Sequence, residues 1–104
     1  MRRVAITGLG VISPIGNNLE AYWQALAQGK LGIGPLTRFD TANYKAHVAA
    51  EVKDFDPRQY MEKAEVQSND LFSQYGIAAA AQAVADSGIQ DTLAPERLAV
   101  YFGA

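Results

Sequence analysis

The chain has 104 residues, enough for one small domain at most, and its 49% hydrophobic and 19% charged residues are typical of a globular protein. A net charge of −2 disfavours nucleic acid as a partner, because nucleic acid attracts basic surfaces. Cysteine is absent, which excludes disulfides, thiolate metal ligands and a cysteine nucleophile within these residues. No stretch reaches the roughly 18 apolar residues of a membrane span. We therefore expect a cytoplasmic protein that does not cross a membrane.

The chain opens with a short apolar strand, predicted over residues 4–7, which leads into the glycine turn Gly8-Leu9-Gly10. The strand is apolar on both faces, as in a parallel sheet covered by helices. A second turn is predicted at Ser13-Pro14-Ile15-Gly16. We expect the glycines of these turns to adopt positive φ.

The first helix begins after Asn17 or Asn18, either of which can cap it, and Glu20 suits its first turn. Gly29 is expected to end it in a left-handed conformation. One apolar stripe at helical spacing is predicted to face the core: Leu19, Tyr22, Trp23, Leu26 and Ala27.

The middle of the chain is less regular. Residues 30–35 are predicted to form a loop, and His47 to Val52 is a modest strand candidate with apolar residues on one face. Asp56 can cap a short helix with Pro57 at its first position. Residues 62–70 are polar and are expected to connect this region to the next helix.

A second long helix is predicted after a cap at Ser68 or Asn69, and Gly88 ends it. Its many small residues allow its backbone to pack close to a neighbour, and Phe72 and Tyr75 are expected in the core. Arg97 to Gly103 is predicted to be a strand that is apolar on both faces.

These elements predict an α/β fold with an incomplete, mostly parallel sheet and two long helices. The apolar faces and edges of two or three strands would stay open with only two helices to cover them. We therefore expect residues 1–104 to be the front piece of a larger protein.

The glycine turn raises a second possibility, a dinucleotide or phosphate site. Gly8 and Gly10 match the first two positions of the G-x-G-x-x-G fingerprint, but Ser13 occupies the third and the helix begins only after Gly16. We prefer a structural turn, and keep a small phosphate-binding α/β module as an alternative.

No catalytic, cofactor-binding or metal-binding constellation is predicted in these residues. His47 is the one histidine and is interpreted as a surface residue. Asp54 and Asp56 are better explained by turn and cap formation than by acid–base chemistry.

Four stretches nevertheless form one specific pattern. They are VAITGLGVISPIGNN (4–18), YWQALAQGKLGI (22–33), RFDTANYKAHVAAEVKDFDP (38–57) and DLFSQYGIAAAAQAVADSGI (70–89). In register, they resemble the N-terminal part of the β-ketoacyl-acyl-carrier-protein synthases, in particular the synthase II type of bacterial fatty acid synthesis. The resemblance covers essentially all of this chain but only the first part of a family member.

The resemblance implies a thiolase-like αβαβα fold in a homodimer. It also implies an acyltransferase that performs a decarboxylative Claisen condensation of acyl and malonyl thioesters. The thioesters are borne by the phosphopantetheine of acyl carrier protein, and no further cofactor is implied. The family's catalytic cysteine and two histidines are not in this chain, and His47 matches neither histidine. The chain alone is therefore expected to be inactive.

The resemblance also bears on carrier binding. Many family members place several basic residues before the second long helix, but here only Lys63 is basic between positions 63 and 69. Lys63 is thus a weak candidate for a carrier-protein contact, and a solvated surface position is the alternative. A non-catalytic relative, such as a chain-length factor of a polyketide ketosynthase, is a further alternative for the whole protein.

Overall fold

A computed structural model describes residues 1–103. Residue 104, which belongs to the N-terminal segment 1–104 expected from the sequence, lies outside the described residues. These residues contain three α-helices, one two-stranded sheet and two short 3₁₀ turns. The elements are α1 (Leu19–Ala27), β1 (Ile33–Pro35), β2 (Val48–Ala50), a first 3₁₀ turn (Pro57–Gln59), α2 (Lys63–Ser68), α3 (Leu71–Ser87) and a second 3₁₀ turn (Pro95–Arg97). The chain divides into two units: Val11–Asp56, and Met1–Gly10 together with the chain from Pro57 onward. None of the helices within residues 1–103 is long and apolar enough to cross a membrane.

The first helix of the unit Val11–Asp56 confirms its predicted ends. Asn18 is the N-cap, and its Oδ1 accepts a hydrogen bond of 2.8 Å from the Ala21 backbone N–H. Gly29 follows the helix at φ +68°. The predicted burial of its apolar stripe was wrong, because none of the five stripe residues is buried. Trp23 is 65% and Leu26 50% exposed, while Ala25 is the buried residue of α1.

The sheet of this unit differs from the expected parallel one. β1 and β2 pair antiparallel, with Ile33 opposite Ala50 and Pro35 opposite Val48. The candidate strand at residues 47–52 is therefore confirmed over three residues, and the predicted loop 30–35 includes β1. Val48 is 61% exposed, so the apolar face predicted for this strand is not buried. Two strands of three residues offer no second layer to cover it.

In the other unit, α2 occupies part of the segment expected to be a connection. The Glu62 backbone N–H donates to Glu65 Oε2 at 2.8 Å, which satisfies a free donor at the helix start. Asn69 is the C-cap of α2, so Asp70, rather than Ser68 or Asn69, takes the N-cap position of α3. The predicted end of this helix at Gly88 is confirmed, and Gly88 is a left-handed C-cap with φ +66°.

The two segments predicted as terminal strands form no strand pairing within residues 1–103. Val4 is 94% and Val100 79% exposed, against the prediction of burial on both faces. Leu98 has the extended backbone of a strand, with φ −101° and ψ 137°. A β-strand requires a hydrogen-bonded neighbour as well as an extended conformation, and the described residues do not supply one.

Phe72 is a further large apolar residue that is more exposed than predicted. Phe72 was expected in the core and is 68% exposed. The buried apolar residues of this unit are Met61, 5% exposed, and Ala78, fully buried. The core of residues 1–103 is therefore small, and large apolar side chains remain on the surface.

Candidate functional site

The glycine turn packs on α3 through its backbone. A Cβ at Gly8 would overlap the carbonyl oxygen of Ala83 and lie 2.6 Å from the backbone nitrogen of Ser87. A Cβ at Gly10 would overlap the carbonyl oxygen of Ala79. Neither these two glycines nor Gly16 of the second turn has a positive φ, so the expectation of positive φ at all three was wrong. Glycine is required because two backbones approach closely, and the small side chains of α3 permit this approach.

The surroundings of this turn do not favour a phosphate. The Leu9 backbone N–H donates to Asp86 Oδ2 at 3.0 Å, so a carboxylate of the protein already accepts from the turn. Gly8 also lies beside Ser87, the last residue of α3. The C-terminal end of a helix has a partial negative charge, which repels anions. A structural role for Gly8-Leu9-Gly10 fits this geometry, and the alternative of a phosphate-binding module does not.

The second turn is tied to the sheet of its own unit by Lys53. The Lys53 ammonium donates to the carbonyl oxygens of Pro14 at 3.4 Å, Gly32 at 3.3 Å and Glu51 at 3.1 Å. The Asn17 side-chain amide donates to the Lys53 carbonyl at 2.7 Å. A cleft of about 280 Å³ with a mixed polar and apolar lining lies beside this arrangement. Because the Lys53 ammonium donates to three backbone carbonyls, it joins the second turn to the sheet and is not available to bind an anion.

Several other charged or titratable groups of this unit also have structural roles. His47 is exposed, as predicted, and its Nδ1 lies 3.0 Å from Thr41 Oγ1. Glu51 Oε2 forms a 3.3 Å salt bridge with Arg38 Nε, and Glu51 Oε1 accepts from the Thr37 backbone N–H at 2.9 Å. Asp54 occupies a turn position with φ +56°. Across residues 1–103, no cluster of three or more His, Cys, Asp or Glu residues is arranged to hold a metal ion.

Lys63 is the first residue of α2 and is exposed. Its helix is fixed to α3 by Gln74, which is 7% exposed. The Gln74 side-chain amide donates to the carbonyl oxygens of Val66 at 3.1 Å and Asn69 at 3.0 Å. This function of Gln74 was not predicted, since an amide within a helical pattern is usually interpreted as a surface residue.

An open apolar groove of about 930 Å³ lies along α3. Its lining is almost entirely apolar and comprises Phe72, Ser73, Gly76, Ile77, Ala80, Phe102 and Gly103. Phe72 was predicted to lie in the core, and the groove was not predicted. The signal available in the sequence was the small residue Gly76 among bulky neighbours, which makes room for the ring of Phe102.

Comparisons with known proteins add an independent line of evidence. The family model described as "Beta-ketoacyl synthase, N-terminal domain" matches residues 1–104. The 3-oxoacyl-[acyl-carrier-protein] synthase 2 of Coxiella burnetii is 46% identical over 105 residues, which cover 99% of this chain and 25% of the relative. The synthase 2 of Vibrio harveyi is 48% identical over 91 residues, which cover 88% of this chain and 22% of the relative.

Solved structures agree with these sequence matches. A structure titled "The ishigamide ketosynthase/chain length factor" superposes with a TM-score of 0.75 and 39% identity, covering 84% of this chain and 22% of that one. The chain thus spans about a quarter of the length of the curated relatives it matches.

Proposed function

Because the chain belongs to the β-ketoacyl synthase family, we propose that it is the N-terminal segment of a 3-oxoacyl-[acyl-carrier-protein] synthase of the synthase II type. The observation that supports this most directly is the 46% identity that extends over 99% of the chain. Residues 1–104 form an incomplete N-terminal domain in this proposal. The whole protein is a cytoplasmic homodimer with a thiolase-like αβαβα fold and a mostly parallel sheet.

The proposed reaction is a decarboxylative Claisen condensation in fatty acid elongation. An acyl group moves from the thiol of acyl carrier protein to a cysteine of the synthase. Malonyl-carrier protein loses carbon dioxide, and the resulting carbanion forms a carbon–carbon bond at the acyl thioester and displaces the cysteine thiolate. Two histidines donate hydrogen bonds to the developing enolate oxygen. The cysteine and these histidines belong to the part of the synthase outside these residues, so the 104-residue chain alone is inactive.

The contribution of this chain is scaffolding and carrier recognition. Gly8, Gly10 and Asp86 hold the opening segment on α3. Lys63, exposed on α2, contacts the acidic carrier protein that bears the phosphopantetheine thioester. Because the acidic residues Glu62 and Glu65 lie on the same short helix turn, Lys63 contributes only a weak electrostatic attraction.

A chain-length factor that partners a ketosynthase is the second candidate. The 39% identical structure whose title names both a ketosynthase and a chain length factor favours its inclusion. Such a protein keeps the fold and lacks the catalytic cysteine. The two candidates differ in whether the full reading frame supplies a nucleophilic cysteine and two histidines.

A chimera tests the proposed function. The matched first quarter of the Coxiella burnetii synthase is replaced by this chain, and malonyl-dependent condensation on acyl carrier protein is measured. We expect a dimer with activity within about tenfold of the unmodified synthase, a loss no larger than about 1.4 kcal/mol of transition-state stabilisation. The unmodified synthase and the isolated chain are the positive and negative controls. A folded, dimeric chimera without condensing activity would contradict the proposal.

A further inference from the structure

The ammonium of Lys53 lies where three segments of the unit Val11–Asp56 meet. Pro14 belongs to the second turn, Gly32 directly precedes β1, and Glu51 directly follows β2. The carbonyl oxygens of these three residues lie 3.4, 3.3 and 3.1 Å from Nζ of Lys53. An ammonium has three N–H donors, so the three carbonyls match its full donor set. Lys53 thereby holds the turn against one end of the sheet.

The three carbonyls are brought together by contacts that do not involve the Lys53 side chain. A Cβ at Gly32 would lie 3.0 Å from Cβ of Pro14, so the second turn packs closely on the start of β1. The antiparallel pairing of β1 with β2 keeps the adjoining ends of the two strands side by side. The Asn17 side-chain amide donates to the backbone carbonyl of Lys53 at 2.7 Å, which holds this backbone beside the turn. We therefore expect the three oxygens to stay close together when the Lys53 side chain is removed.

Three converging carbonyl oxygens are a ligand set for a cation. Each oxygen has a partial negative charge, so the three repel one another unless a positive charge lies among them. Rings of backbone carbonyls replace the hydration shell of potassium in potassium-selective sites. The distances of 3.1–3.4 Å to Nζ exceed the roughly 2.0–2.6 Å of magnesium–oxygen and calcium–oxygen contacts. The spacing therefore suits a large monovalent cation rather than a divalent one.

Water has access to this position through the cleft of about 280 Å³ that Lys53 lines. The same lining includes one further cation, Lys30, and one carboxylate, Asp54, whose opposite charges offset each other for an entering ion. We propose that the three carbonyls form a monovalent-cation site whose resident occupant is the Lys53 ammonium, and that potassium or free ammonium ion binds there once the Lys53 side chain is removed.

The inference goes beyond the proposed function and depends only on contacts within Val11–Asp56. In it, Lys53 is a tethered cation at the junction between the second turn and the sheet. The tether gives its ammonium a high effective concentration at the carbonyls, so a free ion does not displace it. The stability of this junction is therefore independent of the cation in solution while Lys53 is present.

Melting temperatures of Lys53→Ala in the chimera with the Coxiella burnetii synthase test the site. The replacement removes both the ammonium and its stem and leaves room for an ion. Potassium, ammonium, lithium and choline chlorides are compared at equal ionic strength. In choline chloride, Lys53→Ala should melt below the unsubstituted chimera. It should regain about 3 °C when potassium or ammonium exceeds its dissociation constant about tenfold. Lithium should give no recovery, because it is too small to contact three oxygens at these distances.

Two variants are matched controls. Lys53→Met removes the charge but keeps a side chain of similar length in the same space, so it should lower the melting temperature without recovery by potassium. Lys30→Met removes a charge from the same cleft and leaves the Lys53 ammonium in place, so potassium should have no specific effect. A crystal of the Lys53→Ala chimera grown with rubidium should show anomalous scattering beside the carbonyl oxygens of Pro14, Gly32 and Glu51.

Equal melting temperatures of Lys53→Ala in potassium, lithium and choline chlorides would overturn the inference. Recovery of the same size in Lys53→Met or Lys30→Met, or no rubidium at the carbonyls, has the same consequence. A Lys53→Ala chimera that folds in none of these salts also overturns it, because no cation then replaces the ammonium.

The proposed function is judged separately, by the condensing activity of the unsubstituted chimera. If that chimera does not fold, the proposed function is contradicted. Amide exchange of α1 in the isolated Lys53→Ala chain then decides the cation site, because α1 begins directly after the second turn. Slower exchange in potassium than in lithium supports the site, and equal exchange overturns it.

Discussion

Replacement of Gly10 by alanine measures how closely the opening segment approaches α3. The added Cβ would overlap the carbonyl oxygen of Ala79 and lie 2.8 Å from the backbone nitrogen of Ala83. Both obstacles are backbone atoms of a helix, which cannot move without breaking helical hydrogen bonds. Overpacking costs about 1–3 kcal/mol, and we expect the upper end of that range here.

The assay is the apparent melting temperature of the chimera with the Coxiella burnetii synthase. At about 2 °C per kcal/mol, a decrease of about 3 kcal/mol in the free energy of unfolding lowers the melting temperature by about 6 °C. Gly34→Ala is the matched control, because Gly34 has no atom within 4 Å of its Cβ position and no positive φ. A double replacement, Gly10→Ala with Ala79→Gly, should not restore stability, because the obstacle at position 79 is a backbone oxygen. A melting temperature for Gly10→Ala equal to that of Gly34→Ala would refute the close approach.

Further predictions concern the contacts and surfaces of the same unit. Asp86→Ala removes the acceptor for the Leu9 N–H and should lower the free energy of unfolding of the chimera by about 1 kcal/mol in urea denaturation, whereas no change would contradict the contact. Gln74→Leu leaves two carbonyls at the α2–α3 junction without their donor, and the amides of α2 should exchange faster while those of α3 do not. Lys63→Glu in the chimera should raise KM for the acyl carrier protein substrate about two- to fivefold and leave kcat with a short pantetheine thioester unchanged, and equal effects on both substrates would exclude a carrier contact. The isolated chain should associate with rising concentration and show no cooperative monomeric unfolding, because its apolar surfaces are uncovered, and light scattering with thermal denaturation decides this.

Local patterns in the sequence were sufficient to predict most of the helix ends. The N-cap at Asn18, the left-handed Gly29 and the helix end at Gly88 depend on interactions within a few residues, so local sequence patterns are sufficient to predict them. The start of α2 was missed because Glu62 is a weak N-cap residue and its pairing with Glu65 follows from the folded geometry. The strands predicted at residues 4–7 and 97–103 do not form within residues 1–103, because strand pairing depends on partners elsewhere in the sequence, which a local apolar pattern does not report.

The groove and the glycine contacts required the folded geometry for a similar reason. Gly8 and Gly10 were interpreted as residues that need a positive φ, the commonest function of glycine in a turn. Their actual function depends on Ala79 and Ala83, which are about 70 residues away in the chain, and no local pattern reports such an approach. The family could nevertheless be identified from sequence, because a resemblance across four segments does not require that any single contact be understood.

The small and apolar residues of α3 allow it to pack against neighbours on two of its faces. Small residues on one face admit the backbone at Gly8 and Gly10, and the neighbouring face presents Phe72 and Ile77 to the groove. A helix that is apolar or small around most of its circumference is stable only when it is covered on most sides. Residues 1–103 cover one face of α3 and leave Phe72 68% exposed. The pattern of α3 is therefore that of a helix within a layered protein, which is consistent with the proposed function and disfavours an independent binding module.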